Sequence, residues 1–418
     1  GGRFHKTMTT DTTDHRSSRQ RRILFLTPQF PYPPEQGTAI RNYNLIAQVA
    51  NRHQVALLSF YHEAPAGAEH LMSFCRPLKL VGAPRRTTQD RLRTLLTTAD
   101  PDMAHRLYLQ EYALALRQLL EEESFDIVQV EGIELAAYAL MMRSWLGDRA
   151  PAVVLDDHNA EYVLQRRSFE TDVRVLRRWP AALYSLSQWR RLARFERLAC
   201  EQSDAVVVVS EADGRALQRL HPQLHPLVVP NGVDVERYHP KMPDSLGLRH
   251  PAVLFTGKMD FRPNVDAMLW FHRLVWPRVL AQVPEAHLYV VGKNPHSRLG
   301  ALYKDETVTV TGYVPDVLPY FGGADAYVVP LRIGGGTRLK ILEAMSAGLP
   351  LVTTTLGAEG IGLTPDTHAL FADDASDAVA DRGLHDRIAD ASVDRRHRAV
   401  VGRVDHRAHV SVPSLAQM

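Results

Sequence analysis

At 418 residues the chain is too long for one ordinary hydrophobic core and suits two domains. With 45% hydrophobic and 23% charged residues it reads as a folded globular protein, and a formal charge of only +2 gives no reason to expect a nucleic-acid partner. No stretch has the roughly 18 to 20 apolar residues that a membrane-crossing helix needs.

In chain order, residues 1–22 are polar and basic without an apolar run, so they read as a flexible leader rather than a secretory signal, with Met8 a candidate start. The expected location is therefore cytoplasmic. Cys75 and Cys200 stand far apart, match no metal-ligand spacing and read as buried thiols. Short apolar runs follow at 23–27, 55–60, 126–130, 152–155 and 205–209, and a second series at 252–256, 287–291, 308–311, 326–329, 351–354 and 368–372. Runs of this length, bounded by Gly, Pro and Asp and separated by helical patterns, predict α/β architecture: two doubly wound domains with parallel sheets. The Pro- and charge-rich stretch 240–251 divides them, giving domains over 23–245 and 246–374.

Residues 375–418 break the pattern, with no Lys, Glu or aromatic residue and poor helical periodicity. Because 42 of the 49 cationic residues in the chain are arginine, as a GC-rich gene would encode, this Arg/Asp/His/Ala mixture fits a shifted reading frame. It fits a solvated tail equally well.

In open parallel sheets, ligands bind beyond the carboxyl ends of the strands, where helix N-termini direct backbone donors outward. After the run at 326–329 comes GGGT (334–337), then a helix pattern through Leu339, Leu342 and Met345 that stops at Gly348 and Pro350. Thr337 is the expected N-cap, with Arg338 in the first turn. Cations at a helix start, here Arg338 and Lys340, are unfavourable unless an anion is bound. Read alone, the stretch fits a phosphate cradle or a glycine turn with two solvated cations. TGK (256–258) brings Gly257 and Lys258 to the same sheet edge, and GAEGIG (357–362) sets Glu359 between glycines there. The first run is followed by PQFPYPPEQGTA rather than G-x-G-x-x-G, and no G-x-x-x-x-G-K-[ST] occurs, which argues against dinucleotide and P-loop sites.

The segments PPEQGTAIRNYNLIAQVA (33–50), DDHNAEY (156–162), SDAVVVVSEAD (203–213), VVPNGVDVERYHP (228–240), LFTGKMDFRPNVDAMLWF (254–271), VTGYVPDVLPYFGGADAYVVPL (310–331) and GGGTRLKILEAMSAGLPLVTT (334–354) carry a resemblance. Over residues 21–373 the chain resembles the retaining GT-B glycosyltransferases of family 4, particularly bacterial sugar transferases of exopolysaccharide synthesis. The resemblance implies two Rossmann-like domains around a cleft, a nucleotide-diphosphate sugar held by the second and a glycan or lipid-linked acceptor held by the first. It implies no metal, and no cofactor beyond the nucleotide-sugar co-substrate.

By the same resemblance, Gly257, Lys258, Gly336, Thr337 and Arg338 face the diphosphate, Glu343 the ribose, and Tyr313 and Val314 the base. Gly37, Asp157 and Asn159 lie on the acceptor side, and His158 faces the donor sugar, although a lone loop histidine is more often structural. Two departures stand out. The first glutamate of the family's E-x7-E motif falls on Gly335, and its second strand-end cation falls near Pro263, beside Arg262. Glu359 is the expected substitute for the missing sugar contact. The basic, aromatic stretch 166–198 reads either as a peripheral contact with the inner face of the cell membrane or as solvated helix packed on the first domain. Two alternatives to a transferase stay open: a sugar-nucleotide epimerase of the same fold, and a catalytically impaired nucleotide-sugar binder.

Overall fold

The computed structural model describes residues 19–34, 37–62, 67–173 and 176–376. The expected leader, apart from its last four residues, and the atypical ending, apart from its first two, lie outside the described residues.

The first sheet contains β1 (Arg22–Thr27), β2 (Gln54–Tyr61), β3 (Cys75–Gly82), β4 (Ile127–Glu131), β5 (Ala152–Asp157), β6 (Ala205–Val208) and β7 (Leu227–Val228), in the order β3-β2-β1-β4-β5-β6-β7. The second contains β8 (Ala252–Thr256), β9 (His287–Val291), β10 (Val308–Gly312), β11 (Ala326–Val329), β12 (Leu351–Thr353) and β13 (Leu370–Phe371), in the order β10-β9-β8-β11-β12-β13. Every pairing between these strands is parallel.

Parallel strands covered on both faces must be apolar at odd and even positions alike. In β1, Leu24 and Leu26 join the core on one face while Ile23 and Phe25 join the core on the other. Full burial of such a side chain contributes about 1.5–3 kcal/mol, which is why these continuous runs were legible. Two strands were not expected. β3 carries Arg76, Pro77 and Lys79 at the sheet edge, where charge and proline are tolerated, and β7 is only two residues long. The run expected over 368–372 contracts to β13, also two residues.

The second core also begins earlier than the 246 boundary. Tyr238 is buried in it, edge-on to Phe321 with ring centroids 5.2 Å apart, and Val233 packs against it. The stretch 166–198 resolves into helices Glu161–Asp172 and Trp179–Glu201, with Trp189 stacked on Phe169 and Leu192, Phe195 and Ala199 buried. Trp179, Leu176 and Leu183 remain exposed. No helix among the described residues is long and apolar enough to cross a membrane.

Candidate active site

The carboxyl ends of β4 and β5 build one side of the site. Glu131 ends β4, Asp156 lies in β5, and His158 follows β5 directly. His158 Nε2 donates to Glu131 Oε2 at 2.9 Å. The Asn42 amide, with its nitrogen facing its acceptors, donates to the same Oε2 at 2.9 Å and to Thr38 O at 3.2 Å. Arg41, on helix Gly37–Ala50, donates through Nε and Nη2 to the Asp156 carboxylate at 2.8–3.1 Å and through Nη1 to Val229 O and Asn231 Oδ1. Glu131 and Asp156 are fully buried.

Burial raises the Asp156 pKa and the Glu131 charge adds to the rise, opposed by Arg41; at about 6 it is still ionised at neutral pH. For His158 burial pulls the other way, but the Glu131 hydrogen bond and the Asp156 and Glu131 charges outweigh it and lift the imidazole above its ordinary value. Ligand atoms of Glu131, Asp156 and His158 lie within 4.8 Å of one another, a spacing a metal ion would accept. The Arg41 guanidinium already supplies positive charge to Asp156 there, so the pair is satisfied as it stands.

The other side belongs to the second domain. Helix Leu339–Ser346 begins one residue later than expected: Arg338, not Thr337, occupies the N-cap position and makes no side-chain cap bond. Its guanidinium instead turns back and donates to Gly335 O and Gly336 O. Nη1 alone carries two hydrogens and holds both neighbouring carbonyls of the glycine turn, which a threonine hydroxyl with one hydrogen cannot. Arg338 Nη2 and Thr337 Oγ1 are buried and have no hydrogen-bond partner. Burial lowers the Arg338 pKa to about 10, leaving it charged at neutral pH.

Lys340, the second residue of that helix, donates to Thr256 O and Asn264 Oδ1 with its ammonium 4.1 Å from the Phe255 ring centroid. Burial lowers its pKa to about 7, opposed by Glu343. This explains Gly257: a Cβ there would fall 2.8 Å from Lys340 Nζ, and the backbone has φ +153°. Glu343, raised by burial against the opposing charge of Lys340, also hydrogen-bonds Tyr238.

The two sides meet. A Cβ placed on Gly336 would fall 2.1 Å from Asn159 Oδ1, and one on Gly335 would fall 1.8 Å from Leu164 Cδ2. Gly37 likewise faces Leu339. Arg262 crosses the seam to Asp172 at 3.6 Å, and Arg167 crosses it to Glu359.

Two family models match in tandem: "Glycosyltransferase Family 4" over residues 36–237 and "Glycosyl transferases group 1" over residues 250–385. The chain belongs to the group 1, family 4 glycosyltransferases. A 44.6 kDa protein of the Klebsiella pneumoniae cps region is 22% identical over 367 residues, 84% of this chain and 88% of that one. A GDP-mannose-dependent monoacylated alpha-(1-6)-phosphatidylinositol monomannoside mannosyltransferase of Corynebacterium glutamicum is 28% identical over 167 residues, 35% of this chain and 42% of that one. HepE of Anabaena, solved with UDP and glucose, shares the fold with a TM-score of 0.58 at 14% identity, covering 92% of this chain and 93% of that chain. The GT-B architecture is thereby established for this glycosyltransferase.

Of the residues expected from sequence, the glycosyltransferase brings Gly37, Asn159, Arg262, Gly336, Thr337, Arg338 and Glu359 to one interdomain seam, while His158 bonds Glu131 within the first domain. Lys258 is half-exposed and leans toward Asp260 at 3.6 Å, Tyr313 stands 64% exposed, and Val314 packs partly against the second core. Asp157 needs correction. It is buried among Glu196, Glu161 and Asp213, its oxygens have no hydrogen-bond partner, and burial first, then those charges, raises its pKa well above the carboxylate range. At 1% exposure it presents no oxygen to the surface where an acceptor contact was expected. Glu131, Arg41, Asp156 and Arg167 were missed. The signal was faint for all four: Glu131 ends an apolar strand, and Arg41 sits in the family-like segment 33–50.

Proposed function

We propose that the protein moves a sugar from a nucleotide-diphosphate sugar to a hydroxyl of a glycan or lipid-linked acceptor, with retention of configuration, in building exopolysaccharide or another cell-surface polysaccharide. The observation that carries this reading is the pair of unpartnered, buried donors, Arg338 Nη2 and Thr337 Oγ1, at a helix start facing the first domain. Such donors suit the diphosphate, whose negative charge grows as the sugar leaves. The bond from the anomeric carbon to the diphosphate oxygen breaks with its electron pair on the diphosphate. The acceptor oxygen bonds to the same face of that carbon, and its proton passes to the departing diphosphate.

In this reading Gly257 and Gly336 keep the backbone open to the phosphates, with Lys258 and Arg262 at the edge of the site. Glu343 accepts from the ribose hydroxyls, Tyr313 and Val314 line the base, and Glu359 meets the sugar hydroxyls that Gly335 cannot. His158, oriented by Glu131, stands on the sugar's open face, with Gly37 and Asn159 toward the acceptor. Cations carry the diphosphate charge, so transfer is metal-independent and survives EDTA. The HepE complex with UDP and the acceptor class of the mannosyltransferase relative support a nucleotide-sugar donor and a lipid-linked acceptor. Exposed Trp179, Leu176 and Leu183 beside Arg177 and Arg178 support peripheral contact with the inner face of the membrane from the cytoplasm. Both family descriptions name transferases, which weighs against the epimerase.

The test is a panel of nucleotide sugars, with and without glycan and lipid-linked acceptors, followed by released nucleotide and by NMR of the product anomer. Acceptor-dependent release with the donor's anomeric configuration is expected. Acceptor-independent interconversion of the donor sugar, or no turnover with any donor, would overturn the reading.

A further inference from the structure

Arg167 lies on helix Glu161–Asp172 of the first domain, and both of its terminal nitrogens are held by a carboxylate of the second. Nη1 donates to Glu359 Oε2 at 2.7 Å and Nη2 to Glu359 Oε1 at 2.5 Å. Neither side chain is sealed: 39% of Arg167 and 30% of Glu359 remain exposed. The Glu359 charge also favours the ionised form of Arg338, while the Arg167 charge opposes it, so the three groups share one electrostatic neighbourhood. The carboxylate is paired with the Arg167 guanidinium, while that of Arg338 is turned to the glycine carbonyls.

The loop that bears Glu359 runs over one of the unpartnered donors, Thr337 Oγ1. A Cβ on Gly360 would lie 3.3 Å from Thr337 Oγ1, whose hydroxyl is buried without a partner, as is Arg338 Nη2. A contact serving only to hold two domains together would be expected to satisfy these groups, because each unpaired buried donor costs free energy. The fork that binds a carboxylate in two places binds a phosphate in the same way. A diphosphate brings more negative charge and more acceptor oxygens than one carboxylate, enough to engage Arg167, Arg338 and Thr337 together.

We propose that Arg167 is a phosphate-contacting residue supplied by the first domain, and that Glu359 holds its guanidinium until a nucleoside diphosphate takes it. The exchange frees Glu359 for the sugar, so the clasp that joins the empty domains is replaced by one running through the donor. This rests on the sugar-transfer reading and adds to it a residue and an order of events.

Isothermal titration of the intact chain with UDP, GDP and ADP, and with uridine, guanosine and adenosine as phosphate-free controls, tests it. Glu359→Gln removes the competing charge with little change of shape and should tighten diphosphate binding about threefold or more. Arg167→Met keeps the apolar stem and should weaken it about tenfold. Neither should change nucleoside binding. Tighter binding cannot arise from misfolding, so Glu359→Gln is decisive even if Arg167→Met is unstable. Wild-type diphosphate binding left unchanged by both substitutions, or weakened by Glu359→Gln, overturns the inference and leaves sugar transfer standing. No diphosphate binding by the wild type or either variant overturns both.

Discussion

The two sides of the cleft treat their buried polar groups in opposite ways. In the first domain, Glu131, Asp156, Arg41 and His158 are buried or nearly so, mutually hydrogen-bonded and charge-compensated. In the second, Thr337 and Arg338 keep buried donors without acceptors, and Lys340 is desolvated enough to sit near neutrality. The first-domain quartet is satisfied by its own members and needs no guest to be stable. The second carries an electrostatic deficit that an anion would remove, which is how a site keeps binding energy in reserve for its ligand.

The largest effect should come from breaking the satisfied side. Arg41→Met leaves Asp156 an uncompensated buried carboxylate and should lower unfolding stability by about 3–5 kcal/mol in urea titration. A loss below about 1 kcal/mol would mean that this side is not held by its charge pairing. Next comes the seam. Gly335→Glu restores the family's glutamate but places its Cβ on Leu164, so turnover should fall about 100-fold through misaligned domains. Adding Leu164→Ala should recover most of it, and no recovery would sink the steric account.

A smaller change is expected for Glu131→Gln, about tenfold in kcat, together with a fall in the His158 pKa by NMR titration. The sign follows from the raised folded value of His158. Its protonation stabilises the fold fully below the ordinary imidazole value of about 6.5, and that contribution is lost as pH rises through the raised folded value. The variant should flatten this part of the stability profile; an unchanged profile would show that Glu131 does not set it. Smallest of all is Lys258→Ala. With Lys258 half-exposed and its Asp260 pairing loose, stability should move by less than about 0.5 kcal/mol while UDP affinity falls about threefold. A marked drop in Tm would assign Lys258 to structure instead.

What the sequence disclosed follows the same division. Apolar strands and glycine turns are local signals, so the strands other than β3 and β7, GGGT and GAEGIG were readable directly. The Arg41–Asp156 pair joins residues 115 positions apart and the Arg167–Glu359 pair residues 192 apart, and no periodicity encodes either. An arginine in a polar helix is indistinguishable by pattern from a solvated one until the partner domain is in place. Thr337 was misassigned as a cap because hydroxyls usually win that position, and only the three-dimensional turn lets Arg338 reach the Gly335 and Gly336 carbonyls.

The contact between Gly335 and Leu164 also bears on how such a site can change over generations. Space next to a glycine in one domain is filled by a leucine from the other, so the two positions are not free to drift separately. A side chain at 335 obliges the Leu164 tip to turn aside or shorten, whereas shortening residue 164 first leaves merely a small void. The two orders of substitution therefore differ: one passes through a cavity, the other through a crowded seam.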